Sequence, residues 1–194
     1  LILLYIISVW GSDIPRQVEF FSRTPFGHGW HVDRLRFEKL LKDNAVENDV
    51  DFHEQTKVID VELIEDHPEL DTHWKIITQK EITKGEFDEP KTFLARWIVD
   101  ASGRRRVIPR KLEVDMEKQD ELLAFYGIFS TNQQDYITDT IIEAVETGWW
   151  YSSLLPNGTR VVVFHTDDDL PTAKQVRREN GFLEHLKNTK YLGP

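Results

Sequence analysis

The chain has 194 residues, of which 40% are hydrophobic and 30% charged, as in an ordinary soluble globular protein long enough to bury a core. It carries 24 Lys and Arg against 34 Asp and Glu, and the net charge of −10 argues against binding to a phosphate backbone. It has no cysteine, which excludes disulfides, thiolate metal sites and thiol nucleophiles and fits a reducing, cytoplasmic compartment.

The first ten residues, LILLYIISVW, are predicted to form a buried strand. They fall far short of the roughly 20 residues that span a bilayer, and they lack the basic start and small-residue cleavage site of a secretory signal. The chain begins with leucine, and Met116 is its single methionine. We therefore expect it to be a fragment of a longer protein.

A short strand at residues 18–21 and a Gly- and Pro-rich loop are predicted next, followed by a helix over residues 34–47 with Asp33 as its cap. Glu38 and Lys42 are spaced as a favourable pair on this helix. Its predicted apolar face consists of Leu35, Phe37, Leu40, Leu41 and Ala45.

The next segment is predicted to be a β-meander, with strands at residues 57–64, 73–82 and 92–100. The third strand ends in Trp97, Ile98 and Val99, an apolar run without alternation that is typical of a strand covered on both faces. Residues 109–119 are polar and form a plausible domain boundary.

Beyond this boundary, strands are predicted at residues 122–130, 149–156 and 159–167, with a hairpin turn before the last. A closing helix over residues 171–188 is weakened by Gly181. Its residues Val176, Leu183 and Leu186 are predicted to face the sheet.

Several smaller motifs have more ordinary explanations than the chemistry they suggest. Gly27 and Gly29 begin a G-x-G-x-x-G pattern whose third glycine is replaced by Val32, so a complete dinucleotide loop is not predicted. His28, His31 and Asp33 lack a fourth ligand at a characteristic spacing, which favours hydrogen-bonding histidines over a metal site.

Two motifs near the predicted hairpin can be explained in the same way. Residues 165–169, HTDDD, favour a solvated strand end and a helix cap over a cation site. Residues 157–159 form a glycosylation sequon that is better explained as the hairpin turn.

The stretch that ends the third strand carries the strongest chemical signal. Asp100 stops the apolar run, Ser102 and Gly103 form a small-residue turn, and Arg104 begins a basic triplet. An aspartate at the carboxyl end of a parallel strand lies where α/β sheets bind ligands, and it can accept a hydrogen bond from a ribose hydroxyl. Ser102 and Gly103 would let the backbone pass close to a phosphate, which arginines can bind through two hydrogen bonds.

Three segments together resemble the FAD-dependent oxidoreductases of the superfamily that contains p-hydroxybenzoate hydroxylase, geranylgeranyl reductases and tryptophan halogenases. The segments are WGSD…GHGWHVDRLRFEKLL, ARWIVDASGRRR and TGWWYSSLLPNGTRVVVFHTDDD, and they occur in the order expected for the family. The halogenase-like branch, which includes flavoproteins implicated in maturing quinone-cofactor amino-acid oxidases, is the most similar. The resemblance covers most of residues 8–170.

The resemblance implies a mixed α/β fold with two incomplete domains. Residues 1–110 would be part of a Rossmann-type FAD-binding domain with a β-meander, and residues 111–194 part of an antiparallel-sheet substrate domain with its closing helix. Arg34 would lie near the flavin pyrophosphate, and Asp100, Ser102, Gly103 and Arg104 near the nucleotide half. Trp149, Trp150 and Tyr151 would contact the substrate.

The sequence departs from the family pattern in three places. The strand–GxGxxG–helix unit and the C-terminal Gly-Asp motif are absent, so we expect the isolated chain to bind FAD weakly or not at all. The segment WWYSSLLP differs from the W-x-W-x-I-P of halogenases, and the halogenase lysine would lie outside the segment, so halogenation is not predicted. No catalytic residue can be assigned.

The leading hypothesis is an FAD-dependent oxidoreductase or monooxygenase that acts on a small aromatic molecule. NAD(P)H or a separate flavin reductase would supply its electrons. The alternatives are a degenerate, non-catalytic binding module that has lost FAD and, much more weakly, a metal-dependent hydrolase built on His28, His31 and Asp33.

Overall fold

The computed structural model describes residues 1–3, 5–18, 25, 27–64, 73–131 and 137–193. The chain divides into two compact units, residues 1–41 with 118–194 and residues 42–117. The domain boundary predicted at residue 110 concerns the whole protein and remains a prediction. The predicted mixed α/β class is confirmed, with strands more abundant than helices.

The first unit is built on a sheet with the strand order β3-β2-β10-β11-β12-β9. Its strands are β2 (Ile6–Val9), β3 (Arg16–Val18), β9 (Leu122–Ser130), β10 (Thr140–Val145), β11 (Gly148–Leu154) and β12 (Thr159–Asp167). Strands β2 and β10 run parallel and the other neighbours are antiparallel. Strands β1 (Ile2–Leu3) and β4 (Gly29–Trp30) form a separate antiparallel pair.

The N-terminal prediction is therefore corrected, because the apolar segment forms β1 and β2 in two different sheets. Strand β10 was missed. The predicted strand at residues 18–21 begins at Val18, the last residue of β3, and its remaining residues lie outside the described part of the chain. Strands β9 and β12 have the predicted bounds, and the predicted hairpin is closed by the Leu155 N–H, which donates to the Thr159 carbonyl at 2.7 Å.

The predicted closing helix is two helices, α3 (Pro171–Val176) and α4 (Glu179–Lys187). They cross closely at Gly181, where a Cβ would lie 2.1 Å from the carbonyl oxygen of Gln175. A side chain does not fit there, which explains why a glycine interrupts an otherwise regular helical pattern.

These helices cover one face of the sheet and form the core with it. Trp150 and Phe164 are each 1% exposed, and Trp150 packs edge-on against Phe182 of α4. Val176 is buried in this cluster, and Leu183 and Leu186 pack against it, so the predicted contact face of the helix is confirmed.

The second unit is a small sheet with β6 at its centre. Its strands are β5 (Thr56–Leu63), β6 (Trp74–Thr83), β7 (Glu86–Phe87) and β8 (Lys91–Ala95), and all pairings are antiparallel. A 3₁₀ turn (Gly103–Arg105) and the short helix α2 (Val107–Lys111) follow. The β-meander is as predicted, but its third strand ends at Ala95.

The prediction that residues 97–100 form a strand covered on both faces is wrong for the described chain. Trp97 and Val99 are 85% and 88% exposed, and no described strand pairs with them. Asp100 consequently does not end a parallel strand, because β8 is antiparallel to β6 and stops five residues earlier.

Helix α1 (Arg34–Glu47) has the predicted bounds, and its residues fall partly in each unit. The Asp33 carboxylate accepts hydrogen bonds from the N–H groups of Leu35 and Arg36, as expected of a cap. The apolar face is not buried: Leu35 is 79% exposed and Leu40 is 63% exposed. The predicted Glu38–Lys42 pair is replaced by an Arg34–Glu38 pair and a Lys42–Glu54 pair.

Candidate functional site

The turn around Asp100 is held by the carboxylate itself. Its Oδ1 accepts a hydrogen bond from the Ser102 N–H at 2.7 Å, and its Oδ2 accepts one from the Ile108 N–H at 3.0 Å. Ser102 completes the arrangement, because its hydroxyl oxygen accepts from the Val107 N–H at 2.9 Å. The two side chains thus bind N–H groups at the start of α2, which have no partner within so short a helix.

The hydrogen bonds of this turn stabilise the ionised form of Asp100 and thereby lower its pKa. Hydrogen bonds from Ser102 are the main cause that lowers the pKa of the Asp100 carboxyl, with smaller contributions from the Ile108 N–H and the Arg106 guanidinium. The carboxylate is exposed and ionised at neutral pH, so it can accept further hydrogen bonds from a ligand.

The backbone of the same turn is open on one side. Gly103 has φ +60°, a left-handed conformation that favours glycine, and nothing lies within 4 Å of where its Cβ would stand. Arg104 and Arg105 are exposed, whereas the Arg106 guanidinium donates to the Val114 carbonyl at 2.7 Å. Asp100, Gly103 and Arg104 therefore lie together on an accessible surface.

Arg34, the remaining predicted cofactor residue, is the first residue of α1. Its guanidinium pairs with Glu38 one turn along, and its side chain is 80% exposed. Arg34 belongs to the first unit and the Asp100 turn belongs to the second.

The three predicted substrate residues alternate across the central sheet. Trp150 points into the core, whereas Trp149 and Tyr151 lie on the opposite face, which α3 and α4 do not cover. Trp149 and Tyr151 are half-buried. The aromatic cluster in the sequence is thus divided between core packing and an accessible sheet face.

His165 is a site residue that sequence reasoning considered only as the first residue of the HTDDD segment, not as a partner of Trp149. Its ring stacks on the Trp149 indole with centroids 3.7 Å apart and planes 7° from parallel. The strand register could have found it, because His165 is directly opposite Trp149. Burial lowers the pKa of His165, and Nδ1 is buried without a hydrogen-bond partner in the described part of the chain.

His31 has a structural environment rather than a metal-binding one. Its side chain is buried, with Nδ1 2.9 Å from the Leu154 carbonyl oxygen and Nε2 3.0 Å from Thr140 Oγ1. Because a carbonyl only accepts, Nδ1 is the donor, and Nε2 accepts from the threonine hydroxyl. Burial is the main cause that lowers the pKa of His31.

The other candidate metal ligands are likewise engaged elsewhere. His28 lies edge-on to Trp30, and Asp33 caps α1. At the end of β12, the Asp168 carboxylate pairs with Arg177 at 2.8 Å. The expected helix cap is absent there, since Leu170 precedes α3 without a capping side chain. Among the described residues, no group of three or more potential ligands could hold a metal ion.

The sequon at residues 157–159 lies in the hairpin turn, where Asn157 Oδ1 accepts hydrogen bonds from both the N–H and the hydroxyl of Thr159.

In the described part of the chain, no helix is long and apolar enough to cross a membrane.

Comparison with known proteins relates the whole arrangement to flavoproteins. No protein-family model matches the chain. LodB of Marinomonas mediterranea, named as an FAD-dependent oxidoreductase, is 25% identical over 190 residues, which are 95% of this chain and 47% of LodB. The flavin-dependent halogenase armH2 of Armillaria mellea is 24% identical over 190 residues, covering 90% of this chain and 35% of armH2.

Comparison with solved structures also finds a flavoprotein with a similar fold. A flavoprotein/dehydrogenase from Cytophaga hutchinsonii superposes with a TM-score of 0.80 at 19% identity, covering 99% of this chain and 46% of that one. The resemblance predicted from the sequence is confirmed. The homologues and structural neighbours of this chain are FAD-dependent oxidoreductases and halogenases. The chain spans less than half the length of the two relatives in sequence.

Proposed function

We propose that the chain is the central part of an FAD-dependent oxidoreductase that oxidises or hydroxylates a small aromatic molecule. The observation that carries the proposal is the accessible turn at Asp100, Gly103 and Arg104, within a chain that aligns over 190 residues with FAD-dependent relatives. Residues 1–110 would contribute to the FAD-binding domain and residues 111–194 to the substrate domain. NAD(P)H or a separate flavin reductase would supply electrons.

The residues of the turn fit the nucleotide half of FAD. Each Asp100 oxygen accepts one backbone N–H, and a carboxylate has about four acceptor positions, so it can also accept from a ribose hydroxyl. The open backbone at Gly103 would let a phosphate approach, with Arg104 beside it. Ser102 would hold the turn, since its N–H and its hydroxyl oxygen are already used there.

The described residues do not by themselves cradle the pyrophosphate. Phosphate binds well at a helix N-terminus, where N–H groups point outward. At α1, the Asp33 carboxylate already accepts from two of these groups and adds a negative charge. Arg34 would add one exposed guanidinium that already pairs with Glu38, so we expect weak FAD binding or none by the isolated chain.

The open face of the central sheet is the proposed substrate surface. Trp149 and Tyr151 present aromatic surface there, whereas Trp150 faces the core. FAD, when bound, supplies the redox chemistry, and the protein orients the substrate and excludes water. A flat aromatic molecule is the ligand that such a surface favours.

The test is flavin binding by the protein expressed from its complete reading frame. Asp100→Asn keeps the size of the side chain but removes its charge, and we expect about tenfold weaker FAD binding from the loss of a charge-assisted hydrogen bond. Asp115→Asn, a change at another exposed aspartate of the second unit, is the matched control and should bind FAD as the parent does. The melting temperature of each apoprotein separates loss of the turn from loss of a flavin contact.

The alternative, a non-catalytic module that has lost FAD, is favoured by one observation, the capped N-terminus of α1. Sequencing the transcript beyond both ends of the chain distinguishes the two. A strand–GxGxxG–helix upstream supports the flavoenzyme. A start codon just before Leu1 and a stop codon just after Pro194, with no flavin absorbance in the purified product, would leave only the binding module.

A further inference from the structure

Strand β9 forms one edge of the six-stranded sheet, and among the described residues no strand pairs with its outer side. Its nine residues, LLAFYGIFS, contain neither charge nor proline, and its register with β12 is continuous. Proteins commonly protect such edges with lysine, proline or a bulge. Here the edge is long, regular and unprotected by any of these devices.

The hydrogen-bonding pattern identifies which backbone groups face outward. The Asp168 N–H donates to the Glu121 carbonyl at 3.2 Å, and this pair continues the β9–β12 register. Hydrogen-bonded pairs alternate along an antiparallel ladder, so every second residue from Glu121 bonds to β12. The residues between them direct their N–H and C=O groups outward: Leu122, Ala124, Tyr126, Ile128 and Ser130.

A pocket of about 670 Å³ adjoins this edge and is lined by β9 and by residues from the two closing helices. Its apolar walls include Phe129 of β9 and Leu183 of α4. Gly127, between Phe125 and Phe129, contributes no side chain, and the Phe129 ring lies over it, 2.9 Å from where a Cβ would stand. A large apolar residue of an added strand placed opposite Gly127 would therefore enter the pocket beside this ring, as aromatic side chains do across from edge glycines.

Charge beside the pocket indicates the polarity of the partner. Arg177 lines the pocket but already pairs with Asp168, whereas Lys174 and Arg178 line an adjoining depression that shares Glu179 with it. In the described part of the chain, neither Lys174 nor Arg178 forms an ion pair. Lys174 and Arg178 stand on a chain of net charge −10, so a segment with carboxylates complements these two cations. A second copy would bring the same cations and the same net charge.

We propose that the outer edge of β9 binds an extended, acidic segment of a partner protein as an additional antiparallel strand. Backbone hydrogen bonds to Ala124, Tyr126 and Ile128 would supply affinity. An aromatic side chain opposite Gly127 would supply specificity, and carboxylates beside it would pair with Lys174 and Arg178.

The probe is the fluorescein-labelled peptide Ac-Glu-Thr-Thr-Phe-Thr-Val-Glu-NH₂, titrated with the purified protein by fluorescence anisotropy. Ala124→Pro removes one outward N–H and leaves the ladder to β12 intact, so we expect at least about tenfold weaker binding. Ala124→Val keeps that N–H and is the matched control. A peptide N-methylated at alternate residues, and one with Ser in place of Phe, should also bind more weakly.

A second pair of variants tests the charge argument without altering the strand. Arg178→Glu should weaken binding of the acidic peptide, whereas Arg16→Glu, at the opposite edge of the sheet, should not. Far-ultraviolet circular dichroism and melting establish that each variant is folded. No saturable binding, or equal binding by Ala124→Pro and the parent, overturns the proposal. A dimer that Ala124→Pro dissociates would place a second copy on the edge and overturn it equally.

Discussion

At the scale of single residues, the polar side chains of the site differ in how far along the sequence their hydrogen-bond partners lie. Asp100 and Ser102 organise a turn within eight residues of themselves, and such local hydrogen bonds can be anticipated from the sequence. His31 bonds to Thr140 and to the Leu154 carbonyl, more than 100 residues away. No local pattern predicts those partners, so the sequence favoured a hydrogen-bonding histidine at position 31 over a metal ligand but could not name the groups that it contacts.

The buried His31 makes stability depend on pH. Its pKa is lowered in the folded state, so the unfolded chain binds more protons below about pH 6.5. The stabilisation is therefore complete above that pH and is lost as the pH falls through the folded-state pKa. His165, whose pKa is also lowered, adds to the effect in the same direction.

We accordingly expect the urea midpoint to fall between about pH 7.5 and about pH 5.5, and to fall less in His31→Gln. Glutamine can donate to a carbonyl and accept from a hydroxyl but does not titrate. His73→Gln, a change at an exposed histidine, is the control and should retain the full pH dependence. An unchanged pH dependence in His31→Gln would show that another group is responsible.

At the scale of elements, the sequence predicts those whose pattern is satisfied locally and misses those that depend on distant partners. Helix α1 and strands β9 and β12 have the predicted bounds because periodicity, a cap and a turn define them. Strand β10 was missed, since Glu143 is buried at its centre and a carboxylate is not expected in a core strand. The strand predicted at Trp97 does not form. Its residues are apolar enough for a buried strand, but the described chain provides no neighbouring strands to cover them.

Glu143 is tolerated in β10 because it fixes the C-terminal segment. Its Oε1 accepts from the Lys190 N–H at 2.6 Å, and its Oε2 accepts from the Tyr191 N–H at 3.1 Å. Glu143→Gln places an amide group against one of these donors, and we expect it to lower the free energy of unfolding by about 1–3 kcal/mol. Chemical denaturation measures the change. Glu146→Gln, an exposed site beyond the same strand, should change it by less than about 0.5 kcal/mol.

At the scale of the whole molecule, the exposed apolar residues support the proposal that the chain is part of a larger protein. The core beneath the sheet is well buried, yet α1 exposes Leu35, Leu40 and Leu41, and the segment after β8 exposes Trp97 and Val99. Scattered exposed apolar residues are ordinary, but an apolar helix face that the described residues leave largely uncovered is typical of a surface that packs against another segment. The sequence predicted the bounds of α1, but the apolar face that it predicted is exposed among the described residues.

This uncovered face yields a test of the proposal that the chain is a fragment. In the 194-residue chain, Leu40→Lys should change the free energy of unfolding by less than about 0.5 kcal/mol, because the leucine is 63% exposed. In the protein from the complete reading frame, the same substitution should cost about 2–5 kcal/mol if α1 packs against the remaining FAD-binding domain. Val162→Ala, in the core of the sheet, should destabilise both forms similarly and serves as the control. Equal tolerance of Leu40→Lys in both forms would mean that this face of α1 stays exposed and would contradict the proposed incomplete domain.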